Sequence, residues 1–237
     1  MAQYHFPPID LLEEKTESDS FNDNRYVERL KGQLSRMFDS FGMDVNVYEG
    51  NGYGYCIRFQ LKLGGGATFD AVKKMQTEIE MALDGQPVEF RESPDGRGIT
   101  IAIKNQARPK IMLKDMIRSR AFREAKSKVS IAAGVNLFEG DTVIDLQKYT
   151  NLIVVGMTGA GKTTFLNDII LSILYKARPD EVRLAMIDTK GADLPLLNGI
   201  PHMKDMDVAT TAEDGVALLQ WLQNEATERL QIGRAHV

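Results

Sequence analysis

The sequence predicts an α/β chain: a parallel-sheet core preceded by a small α+β subdomain. Three observations carry that prediction. An apolar run, Leu152–Val155, is followed by Gly156-x-x-x-x-Gly161-Lys162-Thr163 and then by apolar residues at helical spacing. One helix later a second apolar run, Val182 to Ile187, ends in Asp188. Strand, helix and strand at this spacing imply a right-handed parallel crossover. Upstream, residues 25 to about 105 show helical faces and alternating strands of their own.

Composition narrows the classes. At 237 residues the chain can hold one large or two small domains, each with its own core. Hydrophobic residues at 43% and charged residues at 26% suit a water-soluble fold. No apolar window approaches the roughly 18 residues a membrane span requires. The start, Met-Ala-Gln-Tyr-His-Phe-Pro-Pro, lacks the basic and apolar regions of a signal peptide. Cys56 is the single cysteine and sits within a strand pattern, where it reads as small apolar filler in a reducing compartment. A net charge of −4 argues against coating nucleic acid by bulk attraction, while leaving room for a local basic surface.

Taken in order, residues 4–12 are an extended arm, because Pro7-Pro8 forbids helix. Residues 13–24 are acidic and polar, a linker, so that 1–24 forms one segment. Val27, Leu30, Leu34, Met37 and Phe38 mark a helix with Gly42 at its C-cap. Asp44 to Tyr48 and Tyr53 to Leu63 alternate as strands joined by a Gly50-Asn51-Gly52 turn. A helix carrying Phe69, Val72, Met75, Ile79 and Leu83 follows, then a hairpin of 88–91 and 99–103 around Ser93-Pro-Asp-Gly-Arg-Gly98. Leu113, Met116, Ile117 and Phe122 mark a helix whose basic residues, between Lys110 and Lys128, read as a solvated face. The subdomain is drawn at 25–128. Two strands, 129–135 and 142–146, lead into the glycine loop. Beyond it a helix buries Phe165, Leu166, Ile169, Ile170, Ile173 and Leu174 and stops before Pro179. Thr210-x-x-Glu213 reads as a capping box opening a last helix, with Val216, Leu219, Leu222, Ala226 and Leu230 on one face and Trp221 beside it.

The loop dictates its own chemistry. Glycines let backbone N–H groups converge on phosphate oxygens, and the following helix N-terminus adds partial positive charge. Gly156, Met157, Thr158, Gly159, Ala160, Gly161, Lys162, Thr163 and Thr164 are therefore the candidate nucleotide-binding residues. Lys162 is the candidate catalytic residue, reaching the β- and γ-phosphates, and Thr163 is the candidate ligand for Mg²⁺. ATP and magnesium are the expected cofactors. Asp188, at the carboxyl end of its run, is either the acid facing the ligand crevice or a loop cap. His202 reads as a loop residue, and three histidines without spacing indicate no metal site.

This order of parts resembles the motor region of the FtsK/SpoIIIE family of bacterial DNA translocases. The likeness lies in Tyr4-His-Phe-Pro-Pro-Ile-Asp-Leu-Leu12, in the domain around Phe41-Gly42 and Ile103-Lys-Asn105, in Asn151 to Tyr175, and in Val182 to Asp188 with Gly199-Ile-Pro-His-Met203. It implies a RecA-like P-loop NTPase core whose N-terminal part is 129–231, with 25–128 as the family's alpha subdomain. It implies an ATPase that moves double-stranded DNA in chromosome segregation or mobile-element transfer, gripping the backbone rather than reading bases. A homo-oligomeric, hexameric ring and a cytoplasmic location follow from the same resemblance; many relatives carry membrane segments upstream. The usual Gly-Ser-Gly-Lys-Ser is here Gly159-Ala-Gly-Lys-Thr163, and Asp-Pro-Lys is Asp188-Thr-Lys190, which leans towards a divergent, mobile-element member.

The family's Walker B strand, ending in Asp-Glu, follows the helix that here ends near Leu230, and the sequence stops before it. Residues 232–237 read as a non-native tail. The resemblance therefore places Asp188 in an accessory role and predicts weak Mg·ATP binding with little hydrolysis by this chain. Two other classes fit the loop: an FtsK-like ATPase of a protein secretion system, and a module that holds nucleotide for assembly without turnover.

Overall fold

A computed structural model describes residues 4–14, 24–53, 55–93, 96–105, 110–149, 151–203 and 206–235. The chain is mixed α/β and divides into two compact units, one of Ile9–Ala125 with Ala132–Val143, the other of Met1–Pro8, Lys126–Ile131 and Ile144–Val237. Most of the expected acidic linker and the Pro94-Asp95 tip of the hairpin fall outside the described residues.

The first unit is built on helix α1 (Asn24–Ser40), which buries Val27, Leu30, Leu34 and Phe38 at three- and four-residue intervals. Gly42, at φ 65°, closes it: the Met43 amide donates to Phe38 O at 3.1 Å and that of Gly42 to Asp39 O at 3.0 Å. Four antiparallel strands, β1 (Val45–Tyr53), β2 (Cys56–Leu63), β3 (Val88–Glu92) and β4 (Gly98–Lys104), are ordered β1-β2-β4-β3. The β2–β4 register sets Ile57 opposite Ile103, Phe59 opposite Ile101 and Leu61 opposite Ile99. All six side chains are buried in one cluster with the α1 face. A slip of one residue would turn that whole set to water, so burial itself fixes the register. Each such side chain contributes about 1.5–3 kcal/mol of burial.

The expected turn at Gly50-Asn51-Gly52 is corrected. β1 runs through those residues, with a register shift between Val47 and Glu49, and the hairpin closes at the Tyr53–Cys56 pair. Glycine is needed at 50 for closeness: a Cβ there would lie 3.2 Å from Phe59 Cδ1 and from Val27 Cγ1. Two helices read as continuous are also divided. α2 (Phe69–Lys74) meets α3 (Gln76–Ala82) at Met75, and α4 (Leu113–Arg118) meets α5 (Arg120–Glu124) at Ser119. Ser119 leaves helical geometry at ψ 152° so that its hydroxyl can accept from the Phe122 amide at 3.2 Å.

β5 (Ser130–Asn136) and β6 (Gly140–Asp145) form a two-stranded sheet whose residues 132–143 belong to the first unit, and the rest of the second unit follows from Ile144. α6 (Lys162–Lys176) follows, then a 3-10 turn at Leu194–Leu197, then α7 (Ala212–Ala235). Ile170 and Leu174 of α6 pack with Met186, Leu194, Met203 and Val208 in the local core. Phe165 and Ile169 are half-buried and Leu166 is exposed, a narrower buried face than expected.

Two readings need correction here. Leu152–Val155 and Val182–Ile187 were expected as buried parallel strands. The first lies in no strand ladder among the described residues, and Ile153 and Val155 are 83% and 87% exposed. The second forms one isolated parallel bridge, Ile187 to Ala209, among the described residues; its Leu184 amide also donates to His202 O at 2.9 Å and Met186 packs in the local core. Parallel strands hold when neighbours occupy both edges and helices both faces. Local hydrophobicity does not supply those neighbours. The cap of α7 moves by one residue: Thr211 Oγ1 accepts from the Asp214 amide at 3.1 Å and donates to Asp214 Oδ2 at 2.7 Å. Thr211-x-x-Asp214 thus supplies the groups expected of Thr210 and Glu213. Val216, Leu219 and Leu230 are exposed along α7. Among the described residues no helix is long and apolar enough to cross a membrane.

Candidate nucleotide-binding site

The site forms at the glycine turn that opens α6. Gly159 and Gly161 take φ of 79° and 89°, a region that side chains with a Cβ rarely adopt. Gly161 is the N-cap of α6, and its carbonyl accepts the first helical bond, from the Phe165 amide at 2.9 Å. The Ala160 amide donates to Met157 O at 3.1 Å, closing the turn. Gly156 is tight for another reason: a Cβ there would meet that of Ala160 at 3.2 Å. The nine residues predicted from the sequence, Gly156 to Thr164, thus sit on one turn and the first turn of α6.

Lys162 folds back over this turn. Its Nζ donates to Gly156 O and to Met157 O, both at 2.6 Å. An ammonium has three donors, so these two bonds leave one directed elsewhere. Thr163, next on the helix and exposed, donates from Oγ1 to Asp193 Oδ2 at 3.4 Å.

Asp188 has a defined task. Its Oδ1 accepts the amides of Lys190 at 3.1 Å and Gly191 at 3.2 Å, while Oδ2 accepts those of Asp193 at 3.1 Å and Leu194 at 3.2 Å. These amides, led by those of Asp193 and Leu194, hold the carboxyl below the usual carboxylate range. The sequence left crevice acid and loop cap open, and the geometry is that of a cap. The bond from Lys190 comes from its backbone rather than its ammonium.

Asp193 was not anticipated. Its position in a loop five residues beyond Asp188 carries no periodic signal, and only the folding of that loop brings it to Thr163. His202 was underestimated. It is fully buried, with Nε2 donating to Ala177 O at 2.9 Å and its ring edge-on to Tyr4. Nδ1 is buried without a partner. It fastens the end of α6 rather than decorating a loop.

The residues suit a magnesium–nucleotide complex. The left-handed glycines open a cradle, one ammonium donor is free of the loop, and a hydroxyl and a carboxylate stand side by side. Among the described residues no cluster of three or more His, Cys, Asp or Glu could cage a metal. Mg²⁺ does not require one, since it is commonly held by one or two protein groups with phosphates and water.

Comparison with known proteins adds the lineage. The FtsK/SpoIIIE family profile matches residues 112–236, and the FtsK alpha domain matches residues 6–105. A curated relative, DNA translocase FtsK of Clostridium acetobutylicum, is 30% identical over 231 residues, which is 97% of this chain and 30% of that protein. DNA translocase FtsK 1 of Neisseria meningitidis serogroup A is 32% identical over 233 residues, covering 98% of this chain and 28% of its own. The chain thus spans about 30% of the length of these relatives. A solved structure, the pCW3 conjugation coupling protein TcpA monomer with ATPγS, aligns with 89% of this chain and 57% of its own. Its TM-score is 0.41 at 16% identity, too low to bear on the fold.

Proposed function

We propose, from the premise that this chain belongs to the FtsK/SpoIIIE family, that it is the nucleotide-gripping part of an ATP-driven motor acting on double-stranded DNA. One observation supports this above the rest: Lys162 Nζ lies 2.6 Å from the carbonyls of Gly156 and Met157, at the N-terminus of α6, within a glycine turn of left-handed geometry. The amides of 156–164 would receive the phosphates, aided by the helix N-terminus. Lys162 would transfer its ammonium from the loop carbonyls to the β- and γ-phosphates. Thr163 would offer its hydroxyl to magnesium, which neutralises charge on those phosphates when bound. Residues 25–128 would act as the alpha subdomain and 129–231 as part of the ATPase domain. The assembled protein would work as a hexameric ring on cytoplasmic DNA.

Asp188 is a poor base for turnover, because four amides already occupy its carboxylate. We therefore expect this 237-residue chain to bind Mg·ATP and hydrolyse it slowly. Calorimetric titration of Mg·ATP into the wild type and into Lys162→Ala tests the site. Saturable, magnesium-dependent uptake that weakens at least tenfold in the variant is expected. No uptake by the folded wild type would overturn the assignment. DNA-stimulated ATP hydrolysis by a protein of the relatives' full length that carries this chain's sequence tests the motor reading, and its absence would favour a cargo other than DNA.

A further inference from the structure

We propose that Asp193 is a positioning residue for magnesium: it accepts the hydroxyl proton of Thr163 and so turns that oxygen's lone pairs towards the cation. The inference rests on the nucleotide reading above and assigns a role to a residue that neither the loop motif nor its spacing identifies.

A threonine hydroxyl has one donor and two acceptor positions. Serving a cation uses an acceptor position and leaves the proton in need of a partner. An exposed hydroxyl without one rotates, and its lone pairs point at the cation only part of the time. Asp193 Oδ2, 3.4 Å from Thr163 Oγ1, supplies the acceptor. Outer-sphere carboxylates of this kind commonly fix ligand orientation and raise ligand basicity.

The loop holds Asp193 at that place. Asp188 ties down the amides of Lys190, Gly191, Asp193 and Leu194 with its two oxygens. Leu194 is buried and belongs to the same apolar cluster as Ile170 and Leu174 of α6, the helix that carries Thr163. The carboxylate of Asp193 is also not used by its own turn: the residue starts the Leu194–Leu197 3-10 turn but makes no side-chain cap bond. Amide, apolar anchor and side chain therefore act separately, and only the last points to the loop hydroxyl.

The negative charge has a second consequence. Without a divalent cation, Asp193 repels the phosphates that Lys162 attracts. With one, it joins the grip. Asp193 should thus make uptake of ATP depend on magnesium, beyond what the loop amides impose.

The test measures ATP affinity with excess Mg²⁺ and with EDTA, for the full chain and for Asp193→Asn, Thr163→Val and their double variant. Asp193→Asn keeps the backbone amide that Asp188 binds, so the loop is expected to hold its shape. It replaces the charged acceptor by a neutral, weaker one whose NH2 competes for the Thr163 lone pairs. The wild type should tighten on adding magnesium. Asp193→Asn should lose about tenfold or more of that gain, by the usual cost of removing such a partner, while its affinity in EDTA stays equal or improves. Thr163→Val should lose the gain as well, and the double variant should be no worse than Thr163→Val alone, since both act through one hydroxyl. An undiminished magnesium gain in Asp193→Asn, or additive losses in the double variant, overturns the proposal. If either occurs while the wild type binds and Lys162→Ala does not, Asp193 alone is misassigned. Absence of uptake by the wild type overturns both this and the nucleotide reading.

Discussion

Replacing Gly161 and Gly32 by alanine, one at a time, should give opposite signs from one chemical change. At Gly161 the φ is 89° and ψ 14°, and an added Cβ would meet nothing within 4 Å. The cost is therefore backbone strain alone, about 1–2 kcal/mol for a residue with a Cβ in the left-handed region. The loop can bear that strain or relax to negative φ, and relaxation swings the amides at the start of α6 away from their common focus. If the free loop relaxes, regaining the nucleotide-competent arrangement costs up to that amount, which corresponds to roughly 5- to 30-fold weaker nucleotide binding. If the strain is borne in both free and bound states, it is read as lost stability instead. Gly32 lies inside α1, at ordinary helical φ, with open space around its missing Cβ. Alanine there removes conformational freedom from the unfolded chain and should stabilise by about 0.4–1 kcal/mol. Calorimetry with Mg·ATP reads the first variant, and urea denaturation of the α1-bearing unit reads the second. Unchanged nucleotide affinity together with unchanged stability in Gly161→Ala would refute the strain assigned to the left-handed turn and its link to the phosphate cradle.

Two further outcomes follow from buried and paired groups. His202→Ala should destabilise the second unit by about 2–4 kcal/mol, from the lost ring volume and from stripping Ala177 O of its donor. Faster amide exchange over the last turn of α6, with α1 unchanged, is the expected sign. Lys114 is buried to 3% exposure and bonds Glu14 at 2.7 Å and Asp10 at 3.2 Å. The Lys114 bond and charge hold the Glu14 carboxyl below its ordinary value. A depressed carboxyl contributes stability that is present above its unfolded pKa and lost as pH falls through the folded one. Docking of the arm should weaken with acid below the ordinary carboxylate range. Glu14→Gln should flatten that dependence, as seen by proteolysis of residues 4–14 across pH.

Much of the first unit was legible because its interactions are local or face-periodic. Leu30, Leu34 and Phe38 repeat at helical intervals, and Ile57, Phe59 and Leu61 alternate, so each run states which side it buries. The β1–β2 turn was misplaced because Gly50-Asn51-Gly52 has turn chemistry, whereas its glycine serves the approach of Phe59 and Val27. The break at Ser119 was hidden because apolar spacing runs straight across it, and only the competition of a side-chain cap ends the helix.

The sequence by itself determined the glycine turn that opens α6 and the places of Lys162 and Thr163 at its start, for the conformational demand of glycine and the offset of those two residues are written in neighbouring residues. It also determined the antiparallel subdomain and the family resemblance. Tertiary structure alone decided that Asp193 reaches Thr163, that Asp188 spends its carboxylate on four amides, and that His202 is sealed against Ala177. It also decided that Leu152–Val155 stands without a ladder among the described residues. These depend on where a loop returns and which neighbours stand at an edge, and a linear pattern of apolar residues specifies neither.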